Sequence, residues 1–166
     1  MLKEISIETL QFNPFTMIGD EKMLISAGDR KKFNTMTASW GALGQIWGQR
    51  SATVYVRPQR YTREFLDACQ LFTLSFFSPD CSKILELCGS KSGRDTDKVA
   101  EAGLTPYFVE GTVAFEQAVL VLVCRKLYRM PFTEDGFVVP EVAPEFYPGK
   151  DFHIMYTGAV LKVLVK

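Results

Sequence analysis

The stretch KKFNTMTASWGALGQIW, Lys31 to Trp47, combines features that seldom share one segment. Asn34, Thr35, Thr37 and Ser39 crowd around two tryptophans, Trp40 and Trp47, and glycines follow. The run has neither the apolar spacing of an amphipathic helix nor the clean alternation of a half-buried strand. Asn, Thr and Ser in a turn offer backbone amides and hydroxyls for hydrogen bonding, and Trp40 adds an aromatic face. The segment is therefore expected to be a polar turn. By itself the composition leaves two meanings open: contact with the edge of a polar heterocycle, or a turn around an incidental buried ring. Gly41, Gly44 and Gly48 suit a place where a ligand or a second subunit approaches the backbone.

The surrounding chain narrows the class. At 166 residues, with 47% apolar and 23% charged residues, it has the composition of an ordinary globular domain. Residues 1–166 are expected to form one domain, because no linker, repeat or low-complexity tract interrupts them. Nineteen basic residues balance nineteen acidic ones. That balance argues against nucleic acid as the main partner and leaves little charge to keep copies of the chain apart. The N-terminus lacks a signal-peptide pattern, and the longest apolar run, Ala118 to Cys124, is far too short to span a membrane. The expectation is a cytoplasmic protein with no membrane partner. Its cysteines, Cys69, Cys81, Cys88 and Cys124, would then stay reduced. None forms a C-x-x-C pair and there is one histidine, so no metal site is expected.

Strand-like segments dominate. Met23–Ala27, Thr53–Val56, Leu71–Phe77, Gly111–Phe115, Ala118–Leu127 and His153–Val165 all read as strands. The continuously apolar Ala118–Leu127 should be central, and Gly158 should mark a bulge or bend. Short helices are expected over Thr62–Cys69 with Thr62 as cap, and over Ser82–Cys88 ending at Gly89. A third is expected over Asp95–Ala102 behind a Ser92–Asp95 capping box. Met130–Phe152, rich in proline, reads as a long excursion. Many strands, few helices and no βαβ alternation indicate a mainly β fold: an antiparallel β-barrel with short helices.

Two cationic segments stand out. In VYVRPQRYTREF, Arg57, Arg60 and Arg63 follow a strand at a proline turn into a helix, an arrangement suited to an anion. In GSKSGRDTDK, Lys91, Arg94 and Lys98 surround Ser-Gly pairs, and Arg94 and Lys98 are spaced to share a helix face. Neither matches a Walker loop, and no G-x-G-x-x-G occurs. Both segments also fit ordinary solvated turns. His153, the sole histidine, has no nucleophile fixed beside it in the sequence, so hydrolase chemistry is not indicated.

In combination these segments carry a specific resemblance. FNTMTASWGALGQIW, ATVYVRPQRYTREFL, FTLSFF, LCGSKSGRDTDK, GLTP and YPGKDFHIMYTGAV occur in the order found in the flavin reductase-like family, and the chain most resembles its flavoredoxin-like branch. The resemblance implies a six-stranded Greek-key FMN-binding split barrel that acts as a homodimer, with FMN near the subunit interface. It implies that Asn34, Thr35, Met36, Thr37, Ser39 and Trp40 line the flavin ring. Arg57, Arg60, Tyr61, Thr62, Ser92, Arg94 and Lys98 would reach the phosphate and ribityl tail, and His153 would stand beside the reacting face as the catalytic candidate. Relatives carry an acidic residue after the glycine of the last strand, where this chain has Ala159. The implied activity is an FMN-dependent oxidoreductase that takes hydride from NAD(P)H and passes electrons onward, with a redox protein as a possible acceptor. The alternatives are a non-enzymatic FMN electron carrier reduced by a protein partner, and a haem- or small-molecule-binding member of the same fold.

Overall fold

The strand Leu120–Pro131 (β9) lies near the middle of an eight-stranded antiparallel sheet in the computed structural model, which describes all 166 residues. Around it come Lys3–Ile5 (β1), Met23–Gly28 (β2), Phe33–Ala38 (β3), Gly41–Ile46 (β4), Gln49–Val56 (β5), Leu71–Phe76 (β6) and Ile154–Val165 (β10). The order is β3-β2-β6-β9-β10-β5-β4, with β1 pairing the far end of β10. A separate hairpin is made by Pro106–Val109 (β7) and Thr112–Phe115 (β8). The helices are short: Pro14–Gly19 (α1), Thr62–Ala68 (α2), Ser82–Ser90 (α3), Lys98–Glu101 (α4) and Val142–Phe146 (α5). No helix is long and apolar enough to cross a membrane.

The outermost strands of this sheet, β3 and β4, are consecutive in the chain, and only Ser39 and Trp40 separate them. The sheet must therefore roll until its two ends meet at that link. The result is a split barrel, open along one seam, with the opening stretch of sequence at the seam. Its strand count is eight and not six. The run Gly41–Ile46, read from composition as part of a turn, pairs as a strand with β5, and β1 adds a short edge.

Covering both faces of the sheet explains why the seam segment escapes a strand reading. Twenty buried residues fill the barrel, among them Met36, Val54, Phe72, Leu122 and Tyr156. A second cluster of twelve, including Leu24, Val121 and Val123, packs on the outer face with Leu85 of α3 and Phe115 of β8. In β3 the chain alternates between these layers, so its threonines are enclosed and must find partners. The Thr35 hydroxyl bonds to the Ser26 hydroxyl at 2.8 Å, and Thr37 donates to the Leu85 carbonyl at 2.5 Å. The hydroxyls that suggest a turn in the sequence are thus satisfied inside a two-sided strand.

Other expectations shift at element ends. Thr62 is the first helical residue of α2 and not its cap. Gly89 lies within α3 and not beyond it, where its missing side chain admits Thr37: a Cβ there would stand 3.3 Å from the Thr37 Cβ. Asp97, not Ser92, caps α4 by accepting from the Ala100 N–H at 3.1 Å, so Arg94 precedes the helix and does not share a face with Lys98. The Met130–Phe152 excursion begins as the end of β9 and contains α5.

Gly158 marks the expected irregularity: the β9–β10 register shifts between Thr157 and Gly158. A Cβ at Gly158 would stand 2.6 Å from the Phe72 ring and 3.0 Å from the Arg125 carbonyl. Phe72 is buried in the barrel and cannot swing into solvent. Gly158→Ala should therefore destabilise the fold by about 1–3 kcal/mol through overpacking; a denaturant midpoint equal to that of the parent chain would refute this account of the bulge.

Candidate functional site

The turn after β5 is drawn tight by the Arg60 N–H, which donates to the Arg57 carbonyl at 3.1 Å, and it leads directly into α2. The far end of α2 is anchored by Asp67, whose carboxylate accepts from Arg63, Arg129 and the Tyr156 hydroxyl at 2.9, 2.9 and 2.7 Å. Opposite this turn lie the end of α3 and the loop to α4. Between them is a polar cavity of about 100 Å³ lined by Asn34, Arg60, Thr62, Ser92, Gly93 and Lys98, among others.

Two cations face this cavity without a counter-ion. The Arg60 Nη1 donates to the Gly89 carbonyl at 2.9 Å, while its Nη2 is buried and has no partner. Lys98 is 3% exposed, and its Nζ donates to the Cys88 and Lys91 carbonyls, both at 3.1 Å. Neither side chain forms a salt bridge. Burial lowers the Lys98 ammonium to about 8, with the nearby Arg60 adding to the shift, and burial also lowers Arg60. Buried charge of one sign is normally paired, so this cavity is built to receive an anion.

Glycine keeps the cavity open. A Cβ at Gly93 would come within 2.1 Å of the Asn34 Oδ1. Asn34 is itself fixed, donating from Nδ2 to the buried Thr62 hydroxyl at 2.9 Å. Asn34 and Thr62 thus brace the cavity wall where β3 meets α2.

A second cavity of about 220 Å³ follows the seam and is lined by Met36, Thr37, Ala38, Ser39, Trp40, Tyr55, Arg57, Arg60 and His153. Arg60 lines both cavities and joins them. His153 is buried, and its Nδ1 lies 2.7 Å from the Tyr147 hydroxyl. Burial, with Arg57 nearby, lowers the imidazole to about 4 and outweighs the opposing pull of Asp151. His153 is therefore neutral at pH 7. The bond to the Tyr147 hydroxyl anchors the ring through Nδ1. The Trp40 ring stands 5.0 Å from the imidazole and 5.6 Å, edge-on, from Phe146.

The structure brings Asn34, Met36, Thr37, Ser39, Trp40, Arg60, Tyr61, Thr62, Ser92, Lys98 and His153 to these two cavities. Thr35 lines neither: its side chain is fully buried against Ser26 and the Ile25 carbonyl. Arg57 reaches the seam cavity but is held by Asp151 at 2.6 Å and the Phe146 carbonyl at 2.8 Å, and lies outside the polar cavity of Arg60 and Lys98. Arg94 also lies outside; it pairs with Glu64, donates to the Gln59 carbonyl at 3.1 Å and covers the Tyr61 ring. Sequence reasoning missed Tyr147, Tyr55 and Gly93. Tyr147 stands six residues before His153, a local signal that could have been read; the need for glycine at 93 depends on Asn34, far away in the chain.

The family profile described as Flavin reductase like domain matches residues 19–166. No curated protein matches the chain. Among solved structures, the FMN-binding domain of a flavin reductases-like enzyme from Shewanella baltica superposes with a TM-score of 0.71 at 15% identity, covering 99% of this chain and 77% of that one. Flavoredoxin from Methanosarcina acetivorans gives 0.71 at 19% identity, covering 99% and 76%. Flavoredoxin of Desulfovibrio vulgaris gives 0.69 at 20% identity, covering 100% and 77%. These likenesses concern the fold, whereas the profile spans nearly the whole sequence, and on that ground the chain belongs to the flavin reductase-like domain family.

Proposed function

We propose that residues 1–166 form one cytoplasmic flavin reductase-like domain that binds FMN and works as an NAD(P)H-dependent oxidoreductase, passing electrons onward. The observation that carries this reading is a pair of cations, the buried Lys98 and the half-buried Arg60, that share one cavity without a carboxylate. A phosphate dianion supplies the missing charge, and its oxygens can accept from the unpartnered Arg60 Nη2 and from the Lys98 ammonium. The donor set therefore fits the tail of FMN. The adjoining cavity, with Thr37, Ser39 and the face of Trp40, fits the ring.

FMN, when bound, supplies the two-electron redox chemistry. The chain's own residues bind, orient and enclose. Arg60 and Lys98 hold the phosphate, while Asn34 and Thr62 keep the wall between β3 and α2 in place. Tyr147 holds the neutral His153 ring in place through Nδ1. Trp40 closes the ring-side cavity at the seam. A homodimer, with the exposed Trp47 at the subunit contact, completes the proposal; Trp47 is 59% exposed and lies on the tip of the β4–β5 hairpin.

Arg60→Ala and Lys98→Met should each weaken FMN binding by about 1.5–3 kcal/mol, roughly 10- to 150-fold. Both variants should fold, because neither cation leaves a carboxylate stranded. Flavin fluorescence titration reads the effect, and unchanged affinity in both would remove the phosphate assignment.

Affinity should also depend on pH in a defined direction. Lys98 in the free protein is lowered to about 8, and a bound phosphate favours its charged form. FMN binding should therefore be level from about pH 7 to 8, then weaken by up to about tenfold per unit above 8 as the free protein must take up a proton to bind. The same lowering means that the charged ammonium strains the unliganded fold. Through this group, the free protein's stability rises as pH climbs from about 8 toward the unfolded lysine value. Lys98→Met should flatten the binding profile; a profile as steep in that variant would assign the titration to another group.

Stopped-flow mixing of the FMN-loaded protein with NADH or NADPH tests the activity. Bleaching of the flavin absorbance is the expected result, and His153→Ala should slow it while leaving the fold intact. No bleaching with either dinucleotide would favour an electron carrier reduced by a protein.

A further inference from the structure

Beside the ring-side cavity lies a wider groove of about 590 Å³, a size that suits a small molecule. One wall is formed by α1 and the start of β4, with Ile18, Ala42 and Leu43. The other is the excursion between β9 and β10, with Phe132, Phe137 and Phe146. Ser39, Trp40 and Tyr55 line both this groove and the ring-side cavity, so the two open into each other at the seam.

The chemistry of the groove contrasts with that of the tail cavity. Eleven of its fifteen lining residues are hydrophobic, and none is charged. Its hydroxyls come from Ser39, Tyr55 and Tyr147, and the Tyr147 hydroxyl is committed to His153. Burying a pyrophosphate against such walls would cost several kcal/mol with no cation to offset it. A neutral ring would instead replace water on apolar surface on all sides.

The groove is also shaped before any ligand arrives. Arg57 grips both Asp151 and the Phe146 carbonyl and so ties the excursion to the end of β5; Gln59 adds a bond to Asp151 at 2.8 Å. Aromatic contacts continue along the wall from Tyr55 to Phe132 at 5.5 Å and from Phe137 to Tyr147 at 5.7 Å.

We infer that this groove binds a neutral, apolar, ring-bearing small molecule as the second ligand of the site, with any polar substituent directed to Ser39 and Tyr55 at the junction. The inference rests on the reading that the adjoining cavity holds the flavin ring. It assigns the groove to an uncharged compound and not to the dinucleotide.

The indole N–H resonance of Trp40 reports on the groove. Trp47→Phe leaves it as the single indole signal, since Trp47 lies on the β4–β5 hairpin against Tyr128 and away from the groove. 2-Acetylnaphthalene and 2-naphthoate, matched in size and differing in charge, are titrated into this variant with and without FMN. The neutral compound should shift the resonance saturably and bind about tenfold or more tighter than the anion. Adding Ala42→Glu, at an exposed position on the groove wall, should weaken the neutral compound by a similar factor while FMN affinity stays within about twofold. Equal binding of the anion, or no saturable shift because a second copy closes the groove, overturns the inference. FMN affinity, measured separately by flavin fluorescence, keeps the two readings apart. FMN binding without naphthalene binding sinks only the groove assignment; naphthalene binding without FMN sinks the flavin reading and leaves the groove's ligand class standing.

Discussion

A two-residue link, Ser39–Trp40, constrains everything else in this molecule. It joins the two end strands of a sheet that would otherwise lie flat and open, and so forces the sheet to roll. Beyond the link β3 and β4 do not pair with each other, and the seam that remains is lined by whatever the link and its neighbours supply. Here they supply Thr37, Ser39 and Trp40 from one side, and Tyr55, Arg57 and His153 from the end of β5 and the approach to β10. The site is the place where the sheet fails to pair with itself. Its position follows from topology before any side chain is considered.

A division of charge runs along that seam. At one end the turn after β5 and the loop before α4 gather Arg60 and Lys98 into a small polar cavity. At the other end the walls are aromatic and uncharged. Arg60 marks the boundary, because it borders both the cation-lined cavity and the seam cavity. A ligand that is anionic at one end and flat at the other is the shape this gradient selects. The cost of enclosing a cation here is visible in the lowering of Lys98, caused first by burial and then by Arg60, and an anion in the cavity would offset it.

Much of this was legible in the sequence, for identifiable reasons. The arginine-rich turn after a β-branched run borders a polar cavity, and Arg60 lines it together with Lys98. The continuous apolar run Ala118–Leu127 placed β9 near the sheet centre because both its faces are covered. What could not be read was decided by partners distant in the chain. Arg57 looked as available as Arg60 until Asp151, ninety-four residues on, claimed it. Arg94 looked like a partner of Lys98 until Glu64 and the Gln59 carbonyl drew it outward. Thr35 sat inside the motif yet is fully buried, its hydroxyl spent on Ser26 and the Ile25 carbonyl of the neighbouring strand. The turn reading of Gly41–Ile46 failed because two glycines in six residues weaken the strand signal without preventing pairing when a long partner such as β5 is present.

The central claim is that Arg60 and Lys98 exist to hold a phosphate. The most direct measurement compares the dissociation constants of FMN and riboflavin, which share the ring and differ in the phosphate. If the cavity works as described, FMN binds tighter by about 3 kcal/mol or more, roughly 150-fold, and the difference shrinks with added salt. Equal affinity for the two flavins would contradict the account.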